Sequence, residues 1–478
     1  MRRLYTQWIL AGLGAALLAW CGFLLDGCGA ASRTVRPDSE EAPEAAFEPE
    51  EAEPAPEKPA PEAKPASAPT PAAPAAKPAA DQPLVASDAC MPSLDRGVAL
   101  AKNGDLGGAE QSFKAALAAD PKCFQAENNL GLLQMRRNNY QTAADHFSRA
   151  LTMRPDYAEA ALNRAMIYAL EGDARRGVLF VETVLAKNPQ SGPLKGALAR
   201  MLVAAGDSAR AVETAKQALK ANEQDVTALM ALGWAFYQQG KQELAAMVFK
   251  NIVAIDESQA EAHFGMAVVA KRQDKKADAQ QNFLNAIRWR DAFPEAHLNL
   301  GIYYLETEEF DKAADSFKKA IEYNPRLAEA WLNLGAAYAG LGKEREALDA
   351  YDRAEKLNPG LKELNFNRAL VYFQIEPPRP ANQTPQEEVR YIENLSRRLE
   401  MAKGYFGKYQ RDAGELPADD PTGDYLKEIE TMQKNNERAV KRVKQRQERE
   451  EQKRQDKKAD AQQNFLNAIR WRDAFPEA

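Results

Sequence analysis

Residues 328–361 read AEAWLNLGAAYAGLGKEREALDAYDRAEKLNPGL, and residues 294–327 just before them read PEAHLNLGIYYLETEEFDKAADSFKKAIEYNPRL. At a step of 34 residues, Leu334-Gly335, Tyr338, Gly342, Ala347, Tyr351, Ala354 and Pro359 fall on Leu300-Gly301, Tyr304, Glu308, Ala313, Phe317, Ala320 and Pro325. The frame continues toward the N-terminus at Leu232-Gly233, Phe236, Gly240, Ala245 and Phe249, and again at Leu130-Gly131, Ala143, Phe147, Ala150-Leu151 and Pro155. Eight such units run without insertion from Cys90 to Leu361, more than half of the 478 residues. Apolar or small residues recur at positions 4, 7, 8 and 11 of the unit and again at 20, 24, 27 and 28, one stripe on each of two helices. Small residues at positions 8 and 20, such as Gly131 with Ala143 and Gly335 with Ala347, let those helices approach closely. Pro155, Pro189, Pro325 and Pro359 end the second helices, because proline supplies no amide to the next turn.

A 34-residue unit of two amphipathic helices resembles the tetratricopeptide repeat. The resemblance implies an all-α fold, a right-handed superhelix of eight repeats, with positions 2, 5, 6, 9, 12 and 13 of the first helices lining its concave face. Position 6 reads Asn129, Asn163, Ala197, Ala231, Gly265, Asn299 and Asn333, then Asn367 beyond the last full unit. In related arrays such asparagines bond the backbone of an extended peptide, their amides offering donor and acceptor together. The middle units put Met230, Trp234, Tyr237, Phe264, Val268 and Lys271 on that face. An aromatic and methionine patch with one basic residue suits an apolar peptide or partner helix. The alternative is that these side chains fill the tight inner radius of the superhelix. His263 and His297 share position 4 with Trp331 and are expected in the core, not as metal ligands.

The N-terminus reads as an export signal. Arg2 and Arg3 precede an uncharged, mostly apolar run from Trp8 to Leu25. Leu25-Asp26-Gly27-Cys28 then resembles the lipobox of bacterial lipoproteins, in which the cysteine is lipidated, although Asp26 departs from that pattern. An uncleaved inner-membrane anchor is the alternative for residues 1–27, since the apolar run is just long enough to span. Either way the rest of the chain is expected in the periplasm, and Gly29 after Cys28 resembles the sorting signal for the outer membrane. Residues 28–89 are rich in Pro, Ala and Glu, with thirteen prolines between Pro37 and Pro83. Such a segment is expected to be a disordered tether. In an oxidising compartment Cys90 and Cys123 are a candidate disulfide, provided Cys90 bends inward across the spacing of neighbouring repeats.

Beyond the array, residues 362–411 are expected to form a helical cap. Thr384-Pro385-Gln386-Glu387 is a helix start, and Val389, Ile392, Leu395, Leu399, Ala402 and Phe406 form a stripe that can cover the last repeat. Residues 412–452 read as a loop and a charged, solvated helix. Residues 453–478 repeat 271–296 letter for letter. That identity marks a recent duplication or an error in assembling the sequence, and a second helix without its first-helix partner is expected to be poorly ordered.

Composition narrows the function. The net charge of −6 does not point to nucleic acid, and three histidines leave little for metal or acid–base chemistry. Charge is uneven, with eleven acids against three lysines over 37–83 and eleven bases against five acids over 434–458. No nucleophile motif, phosphate loop or ligand cluster appears, so neither a catalytic site nor a cofactor is expected. The expectation is a non-enzymatic scaffold, membrane-tethered, that holds protein partners on its concave face within an envelope-spanning motility (gliding or pilus) or secretion complex. The arrangement of anchor, tether and array resembles the repeat proteins of the myxobacterial adventurous gliding machinery. The alternative is a targeting factor or chaperone for outer-membrane clients. The sequence leaves the partner and the oligomeric state open.

Overall fold

The computed structural model describes residues 89–474, apart from 103, 382, 383 and 418. The apolar run, Cys28 and the tether up to residue 88 lie outside the described residues. All regular structure among the described residues is helical. The first helices of the units are α1 (Met91–Lys102), α3 (Phe124–Arg136), α5 (Ala158–Leu170), α7 (Gly192–Ala204), α9 (Val226–Gln238), α11 (Ala260–Arg272), α13 (Pro294–Glu306) and α15 (Ala328–Gly340). Their second helices are α2 (Leu106–Ala119), α4 (Tyr140–Met153), α6 (Ala174–Lys187), α8 (Ser208–Leu219), α10 (Gln242–Ile255), α12 (Lys276–Trp289), α14 (Phe310–Tyr323) and α16 (Glu344–Leu357). After them come α17 (Glu363–Gln374), α18 (Pro385–Ala413) and α19 (Thr422–Ala474).

Each unit is an antiparallel hairpin whose turn is set by one backbone conformation. The residue at position 15 has positive φ in all eight units: Gly104, Asn138, Gly172, Gly206, Gly240, Asp274, Glu308 and Gly342. A left-handed residue just past a helix ends it and reverses the chain, which glycine does without a Cβ clash. Asn138 and Asp274 are tolerable substitutes there, whereas Glu308 at φ 60° is strained. A strong N-cap often follows, as where the side chains of Asp105, Asp173 and Asp207 each accept a bond from the third residue of the next helix.

The curvature follows from which helices meet. First helices pack against first helices of adjacent units, most closely along α5, α7 and α9, while second helices pack mainly on first helices and are bridged to one another at the surface, as by Arg210 on α8 and Glu182 on α6, 2.6 Å apart. Elements that touch lie on the inside of a bend, so the first helices line the inner face and the second helices fan outward. At the start of the array, Cys90 and Cys123 are joined in a disulfide with Cα atoms 6.3 Å apart, both fully buried. It ties the entrance of α1 to the entrance of α3.

At the other end, α17 adds a ninth first helix and α18 covers it. Thr384 forms a reciprocal capping box, its Oγ1 accepting from the Glu387 amide while its own amide donates to Glu387 Oε2 at 2.8 Å. Phe366, Leu370, Leu399, Phe406 and Ile429 share one cluster, so the cap takes in the beginning of α19 as well. Two arginines, Arg368 buried and Arg398 half-buried, tie it down. Arg368 bridges Asp352 (2.5 Å) and Glu355 (2.8 Å) on α16, and Arg398 joins Glu344 at 2.6 Å and the Ile375 carbonyl at 2.7 Å. Helix α19 continues unbroken through Lys453 to Ala474, with every side chain from Lys453 to Ala468 exposed. No glycine or proline interrupts residues 424–475, so nothing halts propagation of a helix already nucleated against α18.

Glu308→Gly should raise stability by about 1 kcal/mol by relieving the left-handed strain, the reverse of glycine's usual effect inside ordered structure. The denaturant midpoint measures this, and a midpoint equal to or below that of the parent would contradict the role assigned to position 15.

Candidate protein-binding surface

The inner face is built from consecutive first helices, and its side chains divide into three groups. Asn129 and Asn163 are half-buried, and Asn163 Nδ2 donates to Asn128 Oδ1 at 3.0 Å. Asn299, Asn333 and Asn367 are buried. Asn299 Nδ2 donates to the Glu295 carbonyl at 3.0 Å and Asn333 Nδ2 to the Glu329 carbonyl at 2.8 Å, each one helical turn back. At those two positions one amide N–H is spent on its own helix, and with Asn299 3% and Asn333 1% exposed little of either amide faces a peptide.

In the middle of the array Met230, Tyr237 and Phe264, read either as a groove lining or as filling of the tight inner radius, are 1%, 8% and 3% exposed and belong to one core cluster, as the second of those readings has it. Trp234 is half-buried among them, with its ring edge-on to Tyr237 at 5.8 Å and to Phe249 at 5.1 Å. The cause lies at position 6, where Ala197 and Ala231 replace asparagine and are essentially fully buried. With no long side chain between them, α7 and α9 close up, and the aromatic rings fill the tight radius that results.

Two charged features remain on this face. Arg200 on α7 reaches over α9 to Glu261 on α11, 3.1 Å away, with both side chains largely buried. Sequence reasoning missed this pair, because its partners lie two units apart. Opposite charges at positions 9 and 2 were the signal available. Lys271 is half-buried and has no ion-pair partner among the described residues. Burial pushes its ammonium pKa below the usual lysine range, and Glu306 at longer range only partly counters this. A desolvated cation with no contacting carboxylate is suited to accept one from a partner.

Hairpins stacked in one direction, with one helix of each lining a common inner face, define a helical-repeat solenoid that mediates protein–protein contacts. Models of the tetratricopeptide repeat match residues 94–158, 197–260, 264–322 and 298–362, and a further one matches 134–201. The chain belongs to the tetratricopeptide-repeat family. It is 33% identical over 108 residues to human tetratricopeptide repeat protein 16, covering 21% of this chain and 12% of that protein, so it spans a small part of this relative's length. Among solved structures, a tetratricopeptide repeat protein from Parabacteroides merdae is similar with a TM-score of 0.38 at 20% identity, over 52% of this chain and 99% of that one. The structure of MamA is similar with a TM-score of 0.31 at 27% identity, over 34% and 94%.

The histidines have a structural role that the repeat makes plain. His263 Nε2 donates to the Glu257 carbonyl and His297 Nε2 to the Asp291 carbonyl, each at 2.9 Å, and Trp331 Nε1 donates to the Pro325 carbonyl at 3.1 Å. In three consecutive units, then, a ring N–H at position 4 staples the first helix to the turn six residues before it. Burial pushes the His297 pKa below the usual 6.5, against the opposing pull of Asp291. A neutral ring in the folded protein stabilises it above the unfolded pKa of about 6.5, and that contribution is lost as pH falls toward the folded value. His297→Trp keeps the N–H and removes the titration. Denaturation at pH 7.5 and pH 5 should therefore show a smaller acid-side loss in the variant than in the parent, and equal losses would refute the assignment.

Proposed function

We propose that the chain is a non-catalytic scaffold that holds one protein partner along the inner face of its repeats while its N-terminus tethers it to a membrane of the cell envelope. The observation that carries the binding role is the inner face itself, where Asn129, Asn163, Trp234 and Lys271 retain accessible surface. The half-buried Lys271, next in sequence to Ala270 of the cluster that Trp234 packs against, favours a partner segment with apolar side chains and a nearby carboxylate. Export is supported by Arg2 and Arg3 before the apolar run of residues 8–25, with Cys28 as the candidate lipidation site. The Cys90–Cys123 disulfide suits an oxidising compartment such as the periplasm. The setting we favour is an envelope-spanning motility (gliding or pilus) or secretion complex, with the outer membrane as the site of attachment. A chaperone that captures many clients would need an open apolar surface, and the burial of Met230, Tyr237 and Phe264 weighs against it.

A photo-crosslinking amino acid placed at Trp234, on the inner face, should yield one discrete adduct in cells of the native host, identifiable by mass spectrometry. The same probe at Met247, 67% exposed on the outward helix α10, should yield none. Adducts at Met247 without any at Trp234 would overturn the inner-face assignment.

A further inference from the structure

The face of α19 beyond the cap does no work in the fold. Its inter-helix bonds with α18 run from Glu430–Lys403 and Gln433–Glu400 through Asn436–Ser396 to Arg446–Glu388, which brings α18 to its first turn. From there α19 projects alone. Every side chain from Glu448 to Ala468 is exposed, and residues 448–474 extend roughly 40 Å at 1.5 Å per residue. Where this projection begins, Arg438, Arg442, Arg446, Arg449 and Lys453 recur at steps of four, four, three and four, which keeps them on one side of the helix. All five are exposed, and among the described residues only Arg446 is ion-paired, to Glu388. A shallow cleft of about 320 Å³ follows this stripe, lined by Arg442, Gln445, Arg446, Arg449, Glu450 and Lys453, so a single carboxylate stands among four cations.

The same chain carries the complementary charge at its other end. Asp38 to Glu57 holds nine acids and no base, with Phe47 its one large apolar side chain. From Lys58 to Asp88 the connecting segment has 31 residues. Fully extended at about 3.1 Å per residue it reaches roughly 95 Å. Docking within one molecule would restrict this connecting segment, with the loss of freedom that entails, whereas a neighbouring molecule can be approached without that constraint.

We propose that the acidic stretch Asp38–Glu57 of one copy docks on the Arg442, Arg446, Arg449 and Lys453 face of a second copy, associating the molecules head to tail. Donor and acceptor are different surfaces, so the contact is heterologous, and each added copy leaves one acidic stretch and one basic face for the next. Because both surfaces are exposed and multiply charged, the attraction is strongest at low ionic strength and is screened as the Debye length shrinks from about 10 Å at 0.1 M salt to about 3 Å at 1 M. This association is independent of which partner fills the inner face.

The test uses the full chain in a nonionic detergent, as an equimolar mixture of 14N- and 15N-labelled copies. A zero-length carbodiimide should couple Lys453 to a glutamate within 40–57 in peptide pairs of mixed isotope composition, and the pairs should disappear in 1 M salt. Sedimentation at low salt should show species larger than one chain. The triple variant Arg442→Glu, Arg446→Glu, Arg449→Glu should return them to the mass of one chain, with helical circular dichroism unchanged. Coupling confined to a single isotope would assign the contact to one molecule and overturn the proposal. So would the absence of the pair, or association that survives the triple variant.

Discussion

An aromatic ring seated on bare backbone is the contact from which the rest of this molecule follows. In the eighth unit the ring of Tyr351, fully buried, lies so close to Gly335 that a Cβ on the glycine would stand 2.4 Å from Cε1. The same fit recurs with Phe147 on Gly131 and Phe317 on Gly301. Volume is conserved where the glycine is lost. Units three and four have Ala165 and Ala199 at that place, and the facing residue shrinks to Val181 and Ala215. Unit six departs, with Ala267 opposite Phe283, and there Gly265 instead takes the ring of Phe249 from the preceding unit. Close packing of this kind sets the distance between the two helices of a hairpin and so decides where each first helix presents its inner face.

Much of this was legible at the level of the period. The step of 34 fixes both helices of every unit, the glycine and ring positions, and the turn residue, since all eight positive-φ residues fall in one frame. The shared place of His263, His297 and Trp331 already implied a common structural role, although the carbonyl each ring N–H reaches is visible only in the structure. What the period could not convey depends on the angle between units. Whether Phe264 faces solvent or packs on Phe293, 5.0 Å away, is decided by how tightly the superhelix turns. The Arg200–Glu261 pair exists only because that turn brings α7 and α11 together. The continuation of α19 past Lys453 was less legible for another reason. Its residues 453–474 copy the second helix of unit six with its flanks, and Phe283, 1% exposed there, corresponds to Phe465 at 66%. Identical letters thus serve a core in one place and a projecting arm in the other.

The molecule is an interaction module with a closed middle and specialised ends. The tight centre makes the inner face continuous and leaves few side chains for a partner to grip, which favours one matched partner over many clients. The disulfide and the capping helices secure the terminal repeats, where a solenoid otherwise frays. Opposite charge at the two ends supplies a separate means of arranging such modules relative to one another.

The ring-on-glycine contact is the premise on which all of this rests, and a double-mutant cycle addresses it most directly. Gly335→Ala should cost about 1–3 kcal/mol in the parent, because the added methyl group meets the Tyr351 ring. In the background of Tyr351→Val, which recreates the Ala–Val pairing of unit three, the same change should be neutral or stabilising. Equal costs of Gly335→Ala in the two backgrounds would show that the ring and the glycine do not set the spacing of the hairpin, and would contradict the account.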